Sequence, residues 1–582
     1  MRNTNIKAIF NHLLVTQLLL NTASNLCDIV GGYVGGNFLG SLAISSSSLL
    51  RPMVNLTLGI ASVFSAAADI LCGQYMGKGD KKAIDKSFTM TVVMSFFVGF
   101  SLLIISFVAF KPIVIFLGAK DPELYEATVQ YLYGYAIGFP AYILFRVFST
   151  YLHIENEGRY VTISVVLMAA LYTGFSYLFI VIMGLDCYGY GLSNTLSSYC
   201  AVLFLFIRLI KNRGQIRFDM TLFDTSYIRE IFVNGFAAGI SHVLFGFRNV
   251  VLNNVLVATG GLVAVAAKSV FGSAITITDI ITVSFTSAGL LIAGICVGEK
   301  NKQDLIKLYK YAFRFSIFVQ AINVVLTYFL SIPISSIFSK DIETIALASH
   351  ITRAYLPAAI LEIISTTLIN LYSVFQYKSF VDMSTFLHCF IFHVCFALAT
   401  QSFLGYDSVF GGYIFTEVCY AIVIFVYICI KNKSVPKRLE DILLIPSDFD
   451  EVEMYNVSIH SYDEVANLSQ GVTNFLLAQN VDSKRAKLSG LCTEEMASNI
   501  FEHGFSKVDK KSTNVDVLAS VENDEISIRI RDNAIPYNPT TRELIFNPED
   551  PCKNAGLKLV KNYAKEMIYQ NLFDNNSMIL KL

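Results

Sequence analysis

The sequence predicts an all-α polytopic membrane protein of about twelve helices, built as two pseudo-symmetric six-helix lobes and followed by a C-terminal domain of α/β or α+β sandwich layout. Three observations predict it. The chain is 54% hydrophobic and 15% charged over 582 residues, where a soluble domain carries about 25% charged residues; one soluble core cannot take up that apolar surplus, and a bilayer can. Apolar runs of about 20 residues, the length that crosses a hydrocarbon core, recur as far as Ile430 and then stop. The pattern of the first half returns in the second.

The expected spans of the first half are residues 10–33, 43–72, 87–110, 125–150, 160–184 and 188–210; those of the second are 230–258, 262–297, 308–333, 343–373, 378–403 and 407–431. Two are longer than a bilayer requires, which calls for tilt or for extension past the lipid. Met1 to Lys7 is polar and basic with no small-residue cleavage site after it, so the first run reads as a retained helix rather than a signal peptide. The chain has no Trp and 30 Tyr, which leaves the interfacial belt to Tyr. The 11 Cys show no metal-ligand spacing; Cys187, Cys200, Cys296, Cys389 and Cys419 fall in or beside apolar runs, as small buried hydrophobes do.

Charge fixes the orientation. Alternate loops hold Arg2, Lys7, Lys78, Lys81, Lys82, Lys86, Arg159, Lys211, Arg213, Arg217, Lys300, Lys302, Lys307, Lys378, Lys431, Lys433, Lys437 and Arg438. The other set holds little beyond Lys111, Lys120 and Lys340, together with Asp121, Glu123, Asp186, Asp341, Glu343 and Asp407. Positive loops stay in the cytosol, so both termini are expected there, in a multi-pass protein of the cytoplasmic membrane. A net charge of −1 with the basic residues dispersed in short loops gives no footprint for nucleic acid.

The internal repeat aligns Gly73 with Gly294. At the same spacing Gly40 meets Gly261, Ala43 meets Ala264, Ser48 meets Ser269, Phe64 meets Phe285, Gly77 meets Gly298, Lys81 meets Lys302 and Lys86 meets Lys307. Each copy has a helix rich in Gly, Ala and Ser, a Gly-xxx-Gly exit and a basic loop. Small residues let helices pack closely. An even number of helices per copy relates the lobes by an axis along the membrane normal. The expected domains are a first lobe over 1–220, a second over 221–431, a charged linker over 432–451 and a soluble domain over 452–582.

Ionisable groups inside a bilayer are expensive and mark pathways. Asp28 lies deep in the first helix, and Arg51 precedes Pro52 in the second. Arg248, Lys268, Asp279, Glu362 and Glu417 fall within later spans, with His242, His388 and His393 as further titratable groups. They point to an ion or proton site in an internal cavity, or to charge pairs that fix helix register. No Walker A pattern is present.

NLCDIVGGYVGGNFLGSLAISSSS and LGIASVFSAAADILCGQYMGKGDKKA resemble the start of a multidrug and toxin extrusion (MATE) transporter, and GISHVLFGFRNVVLNN to AGICVGEKNKQD resembles that family's second lobe; the likeness covers about residues 1–431. The resemblance implies two lobes around a central cavity open alternately to each side. It implies export of amphipathic, often cationic compounds, driven by inflow of Na⁺ or H⁺. It carries the acidic residue of the first helix onto Asp28. Some members use a Glu in the seventh helix; here GISHVLFGF has no carboxylate, and Phe245 stands near that position. Related two-lobed exporters move lipid-linked sugars, a reading that calls for a strongly basic cavity and draws on Arg51, Arg248 and Lys268.

The tail reads as strands over Val452–His460, Val515–Val521 and Glu525–Arg531 and helices over Tyr462–Gln479, Ser483–Glu502 and Leu557–Tyr569. In EEMASNIFEHGF, Glu495, Asn499 and His503 recur at every fourth residue and share one helix face; a carboxylate and an amide so placed can orient a water and complete a Mg²⁺ shell. Asp532 ends a strand, where it can accept from an exocyclic amine. Gly556 precedes a helix, where backbone N–H groups favour phosphate. In this order the features resemble the GHKL ATP-binding fold, and within it the anti-sigma-factor serine kinases. The resemblance implies Mg-ATP as ligand, Glu495 as general base, Asn499 as Mg²⁺ ligand, Asp532 as the adenine reader, Gly556 as the second glycine of the phosphate lid and Ser577 as a support of the adenine site. It also implies a cytosolic protein partner of the anti-anti-sigma kind. Ala534 and Asn554 replace two glycines of that pattern. The expected function is a cation-coupled exporter with a regulatory ATP-binding domain; the alternative is a membrane-anchored serine kinase or partner-switching protein.

Overall fold

Among the described residues of the computed structural model, ten helices are long and apolar enough to cross a membrane, and one further pair, Pro122–Ala136 and Phe139–Ile154, meets the same test only when taken together across a 45° bend. The described residues are 7–19, 21–22, 46–47, 49–117, 122–155, 157–211, 216–338, 341–449, 453–505, 513–522, 524–540, 555–572 and 575–582. Most of the first expected span, with Asp28, lies outside them. So do Gly40, Ala43 and Ser48 of the repeat.

The spans follow the apolar runs. Arg51–Lys78, Lys81–Val108, the bent pair, Gly158–Ile182 and Asp186–Leu209 make up the first lobe; Ser226–Gly261, Val263–Gly298, Lys302–Phe329, Ile342–Val374, Lys378–Leu404 and Asp407–Asn432 make up the second. Their outward faces are apolar, with Phe97, Val108, Phe318 and Phe329 exposed, as a lipid-facing surface requires. The Ser226–Gly261 and Val263–Gly298 helices join at Gly261, whose φ of 62° and ψ of −157° lie where only glycine sits without strain.

The repeat is physical as well as textual. Gly73 and Gly294, aligned by sequence, touch across the lobes: a Cβ on Gly73 would stand 3.0 Å from the Gly294 Cα. One turn on, a Cβ on Gly77 would stand 2.7 Å from the Gly298 Cα. Both exits then use the same cap. The Asp80 side chain accepts from Ala83 N at 3.0 Å, and its repeat partner Asn301 accepts from Asp304 N at 3.1 Å, each satisfying an N–H left free by the helix start. Gly77→Leu is expected to force the two helices apart and destabilise the lobe contact by about 1–3 kcal/mol, read as a lower melting temperature in detergent; an unchanged melting temperature would show that the contact is slack.

The C-terminal domain is a five-stranded antiparallel sheet, β1 (Met454–Ile459), β2 (Val515–Glu522), β3 (Glu525–Asp532), β4 (Glu566–Leu572) and β5 (Asn575–Lys581), in the order β1-β2-β3-β5-β4. Two helices, Val465–Ala478 and Ser483–Asn499, cover one face. Val472, Leu476, Cys492 and Ala497 from the helices pack on Val517, Ile528, Ile530, Met578 and Leu580 from the strands. The helix expected over Leu557–Tyr569 is a correction: it ends at Tyr563, and residues 566–572 form β4. The Lys- and Glu-rich start favours helix locally, but pairing with β5 from Glu566↔Lys581 to Leu572↔Asn575 satisfies a full backbone ladder and wins.

The linker is folded onto the second lobe. Tyr372 Oη donates to Ile442 O at 2.7 Å, Tyr377 Oη to Leu444 O at 2.8 Å, and Asn432 Nδ2 to Asp441 O at 2.7 Å. Leu443, Leu444 and Phe449 are buried in the same core as the spans.

Candidate functional site

A cavity of about 670 Å³ opens in the second lobe, and most of the charged residues expected inside the membrane line it: Arg248, Lys268, Asp279, Glu362, His388 and Glu417, with His242 and Phe245 at the wall. Lys268 and Asp279 share the Val263–Gly298 helix, three turns apart and so on one face. Glu362 follows a break. The turn Leu356–Ala358, with Pro357, interrupts the span, and Glu362 falls in the first turn of the resumed helix, where exposed N–H groups favour a carboxylate. His388 sits in a π-helical turn, Leu387–Ile391, inside the Lys378–Leu404 span, an irregularity common where a side chain must be re-aimed.

The polar contacts are specific. His388 Nε2 lies 2.6 Å from Glu417 Oε1, and the imidazole stacks on Tyr420 with ring centroids 4.2 Å apart. Glu417 Oε2 is buried with no hydrogen-bond partner among the described residues. Glu362 lies within electrostatic reach of Asp279, Glu417, His388 and Arg248. Arg248 holds its guanidinium over the Phe245 ring, 4.4 Å from the centroid, so this aromatic contributes a cation–π face to the cavity wall. Lys268 Nζ donates to Asn253 Oδ1 at 2.8 Å and Asn249 Oδ1 at 3.3 Å. Three carboxylates thus face Arg248, Lys268 and His388. This balance differs from the strongly basic cavity that a lipid-linked sugar would call for.

Not every expected residue joins. Arg51 is the first residue of its helix and is exposed, away from the cavity. His393 is buried elsewhere, its Nε2 2.8 Å from Val409 O. His242, at the cavity wall, also reaches across the lobes, with Nε2 3.1 Å from Ser62 Oγ. Sequence reasoning missed two further buried charges, Asp69 and Arg146, within electrostatic reach of each other in the first lobe; the carboxylate in SAAADILCG, amid small apolar residues, was the available signal.

In the C-terminal domain, Glu495 and Asn499 lie one turn apart near the end of the Ser483–Asn499 helix, with Asn499 Nδ2 donating to Glu495 O at 2.6 Å. The helix continues as a π-helical turn, Ile500–Gly504, that carries an exposed His503. Gly556, in the first turn of the Ala555–Tyr563 helix, abuts the Glu495 carboxylate so closely that a Cβ there would collide with it. Asp532 is buried at the end of β3, where its Oδ1 accepts from Ala534 N at 2.9 Å and from Asn576 Nδ2 at 2.7 Å. The Ala534 methyl lies against Gly504. Glu495, Asn499, Gly556 and Asp532 thus lie on the helix-bearing side of the sheet.

Ser577 does not. β3 and β5 pair Asp532 with Asn576 and Arg531 with Ser577, and side chains alternate between faces along a strand. Asn576 therefore stands beside Asp532, while Ser577 is buried on the opposite face with Oγ unpartnered among the described residues. The residue of β5 that shares the face of Asp532 is thus Asn576, one before the expected Ser577; the apolar alternation Met578, Leu580, Leu582 could have fixed the register.

Comparison with known proteins agrees with this geometry. Residues 13–184 and 237–398 match the MatE family model, and residues 460–582 match the histidine kinase-like ATPase domain. The chain is 22% identical over 371 residues to the protein named "Probable multidrug resistance protein YoeA" of Bacillus subtilis (strain 168), covering 61% of this chain and 79% of that one. It is 22% identical over 369 residues to "Multidrug export protein MepA" of Staphylococcus saprophyticus, covering 60% and 77%. Among solved structures, an outward-facing multidrug resistance MATE family transporter of the MOP superfamily superposes with a TM-score of 0.67 at 17% identity, over 73% of this chain and 98% of that one. A MOP superfamily transporter from Pyrococcus furiosus superposes at 0.68 and 17% identity, over 75% and 100%. With the family model matched over more than half its length, the chain belongs to the MatE family of membrane transporters and carries a histidine kinase-like ATPase domain at its C-terminus.

Proposed function

We propose that the protein is a cation-coupled antiporter that exports amphipathic, often cationic compounds across the cytoplasmic membrane, with both termini in the cytosol and a C-terminal domain that binds Mg-ATP and regulates transport. The observation that carries the transport reading is the cavity of the second lobe, where Asp279, Glu362 and Glu417 gather beside His388 and Arg248. A buried carboxylate with an unpartnered oxygen is costly unless it exchanges a proton or a cation. The Glu417–His388 pair and Glu362 are the coupling groups of the second lobe in this reading, with Asp28 of the first helix as a further one in the first. Inflow of Na⁺ or H⁺ discharges the carboxylates as a cationic substrate leaves, and the two lobes rock about the cavity. The resemblance of the first 431 residues and the multidrug names of YoeA and MepA support the substrate class. In the ATPase-like domain, Asn499 would hold Mg²⁺, Asp532 with Asn576 would read adenine, and the start of the Ala555–Tyr563 helix would face phosphate. A cytosolic protein that docks on this domain is the partner class implied.

The test is uptake of a fluorescent lipophilic cation by proteoliposomes with an imposed proton or Na⁺ gradient. Uptake driven by one gradient and collapsed by its ionophore is expected. Equal uptake with neither gradient, even after ATP is supplied, would remove the antiport reading.

A further inference from the structure

Among the described residues, the sheet of the ATPase-like domain has helices on one face only; its other face lies on the transporter. Along β3, Ile528, Ile530 and Asp532 point to the helices, and Arg529 and Arg531 point the other way. Arg529 and Arg531 both donate to Glu299 Oε1, and Arg529 also donates to the carbonyl oxygen of Gly77. Glu299 follows the last helical residue of the Val263–Gly298 span, in the second lobe. Gly77 belongs to the equivalent exit of the first. One guanidinium therefore ties the two lobes together at the point where Gly77 meets Gly298. Two further contacts flank it: Lys300 Nζ lies 2.9 Å from Glu522 Oε1, and a Cβ on Gly79 would stand 2.8 Å from Ile579 Cδ1. The Glu299 side chain is 1% exposed and that of Arg529 is 7%, so the ion pair is an interior contact rather than a surface one.

We propose that the ATPase-like domain is an intramolecular clamp: the open face of its sheet grips the ends of both lobes and holds them together, so that the transporter opens on that side only when the sheet lets go. The proposal rests on the two-lobe rocking of the transport reading. It explains why the linker is packed on the second lobe, which anchors the domain there and leaves the Arg529–Gly77 bond and the Ile579–Gly79 contact to reach the first. Both arginines converge on the Glu299 carboxylate, with Asp304 and Asp516 lining the same pocket, so removing the Glu299 charge takes away the acceptor that the buried Arg529 shares with the second lobe and weakens the grip.

The experiment is a spin-label distance across the lobes in the full chain, with labels on Lys82→Cys and Gln303→Cys. These two exposed positions, equivalent in the repeat, are labelled in a background whose accessible native cysteines are serine. Without nucleotide, one short distance is expected. In Glu299→Gln a longer distance is expected in more than about half of the molecules, against less than about a tenth before. The swap Glu299→Arg with Arg531→Glu is expected to restore the short distance. If Glu299→Gln lowers the melting temperature, Glu522→Lys serves as the second variant, since it acts on an exposed pair. An unchanged distance distribution in both variants, folded, overturns the clamp. A longer distance in a chain that shows no gradient-driven uptake keeps the clamp and removes the transport reading instead.

Discussion

Glu417→Gln is expected to lower the initial rate of gradient-driven uptake by at least about a hundredfold, with the protein still folded in the membrane. The amide keeps the size of the side chain, so the cavity keeps its shape. It loses the two properties the reading needs. It cannot take up and release a proton, and it cannot neutralise a cation in a medium of low dielectric. His388 Nε2, 2.6 Å from Glu417 Oε1, still finds an oxygen on glutamine, so the fold loses little. His388→Ala is the informative contrast. It leaves Glu417 buried without its ring partner, at a cost of about 3–5 kcal/mol, and is expected to lower both the transport rate and the melting temperature. Glu417→Asp retains the charge and is expected to transport at a reduced rate. Initial rates corrected for incorporated protein, with melting curves beside them, separate the two effects. Wild-type uptake by Glu417→Gln would make the pair a device for holding the Lys378–Leu404 and Asp407–Asn432 helices in register, and nothing more.

The spans were legible because a bilayer imposes a length, and each apolar run met it. The repeat was legible because its matches run through polar loops, where chance similarity between apolar helices does not reach; the Gly73 and Gly294 it aligned are in contact. The gathering of Arg248, Lys268, Asp279, Glu362, His388 and Glu417 into one cavity follows from helix packing over long range. Sequence spacing named these residues one at a time and could not place Arg51 outside. Asp69 escaped notice because its neighbours are small and apolar and Arg146 lies in another span. That Asn576 rather than Ser577 stands beside Asp532 was not legible, because β4, read as helix, supplied no register for β5. The contact of Arg529 and Arg531 with Glu299 had no signal in the sequence, since 230 residues separate Arg529 from Glu299 and every outward-facing arginine on a strand looks alike.

Asp532→Asn is expected to weaken Mg-ATP binding by the full chain by about 10–100-fold, the worth of a hydrogen bond to a charged group, and to erase its preference for ATP over GTP. Asp532 is buried, its Oδ1 receives the Ala534 N–H and the Asn576 amide, and the pair stands on the helix side of the sheet, where Glu495, Asn499 and Gly556 also lie. A carboxylate at a strand end accepts from the exocyclic amine of adenine; guanine presents a carbonyl oxygen there and is repelled. Substitution by asparagine keeps the packing and turns one acceptor into a donor, so loss of base selectivity reports reading of the base, whereas a purely structural role would move affinity for both nucleotides alike. Calorimetry with Mg-ATP and Mg-GTP, with Asn499→Ala as the magnesium control, makes the comparison. Unchanged affinity and selectivity in Asp532→Asn would leave a domain that keeps the fold without reading adenine. The expected loss would give the clamp its ligand, because Asp532 and Arg531 are consecutive residues of one strand: the first faces the nucleotide side, the second holds Glu299, and a shift of β3 that favours one contact is felt at the other.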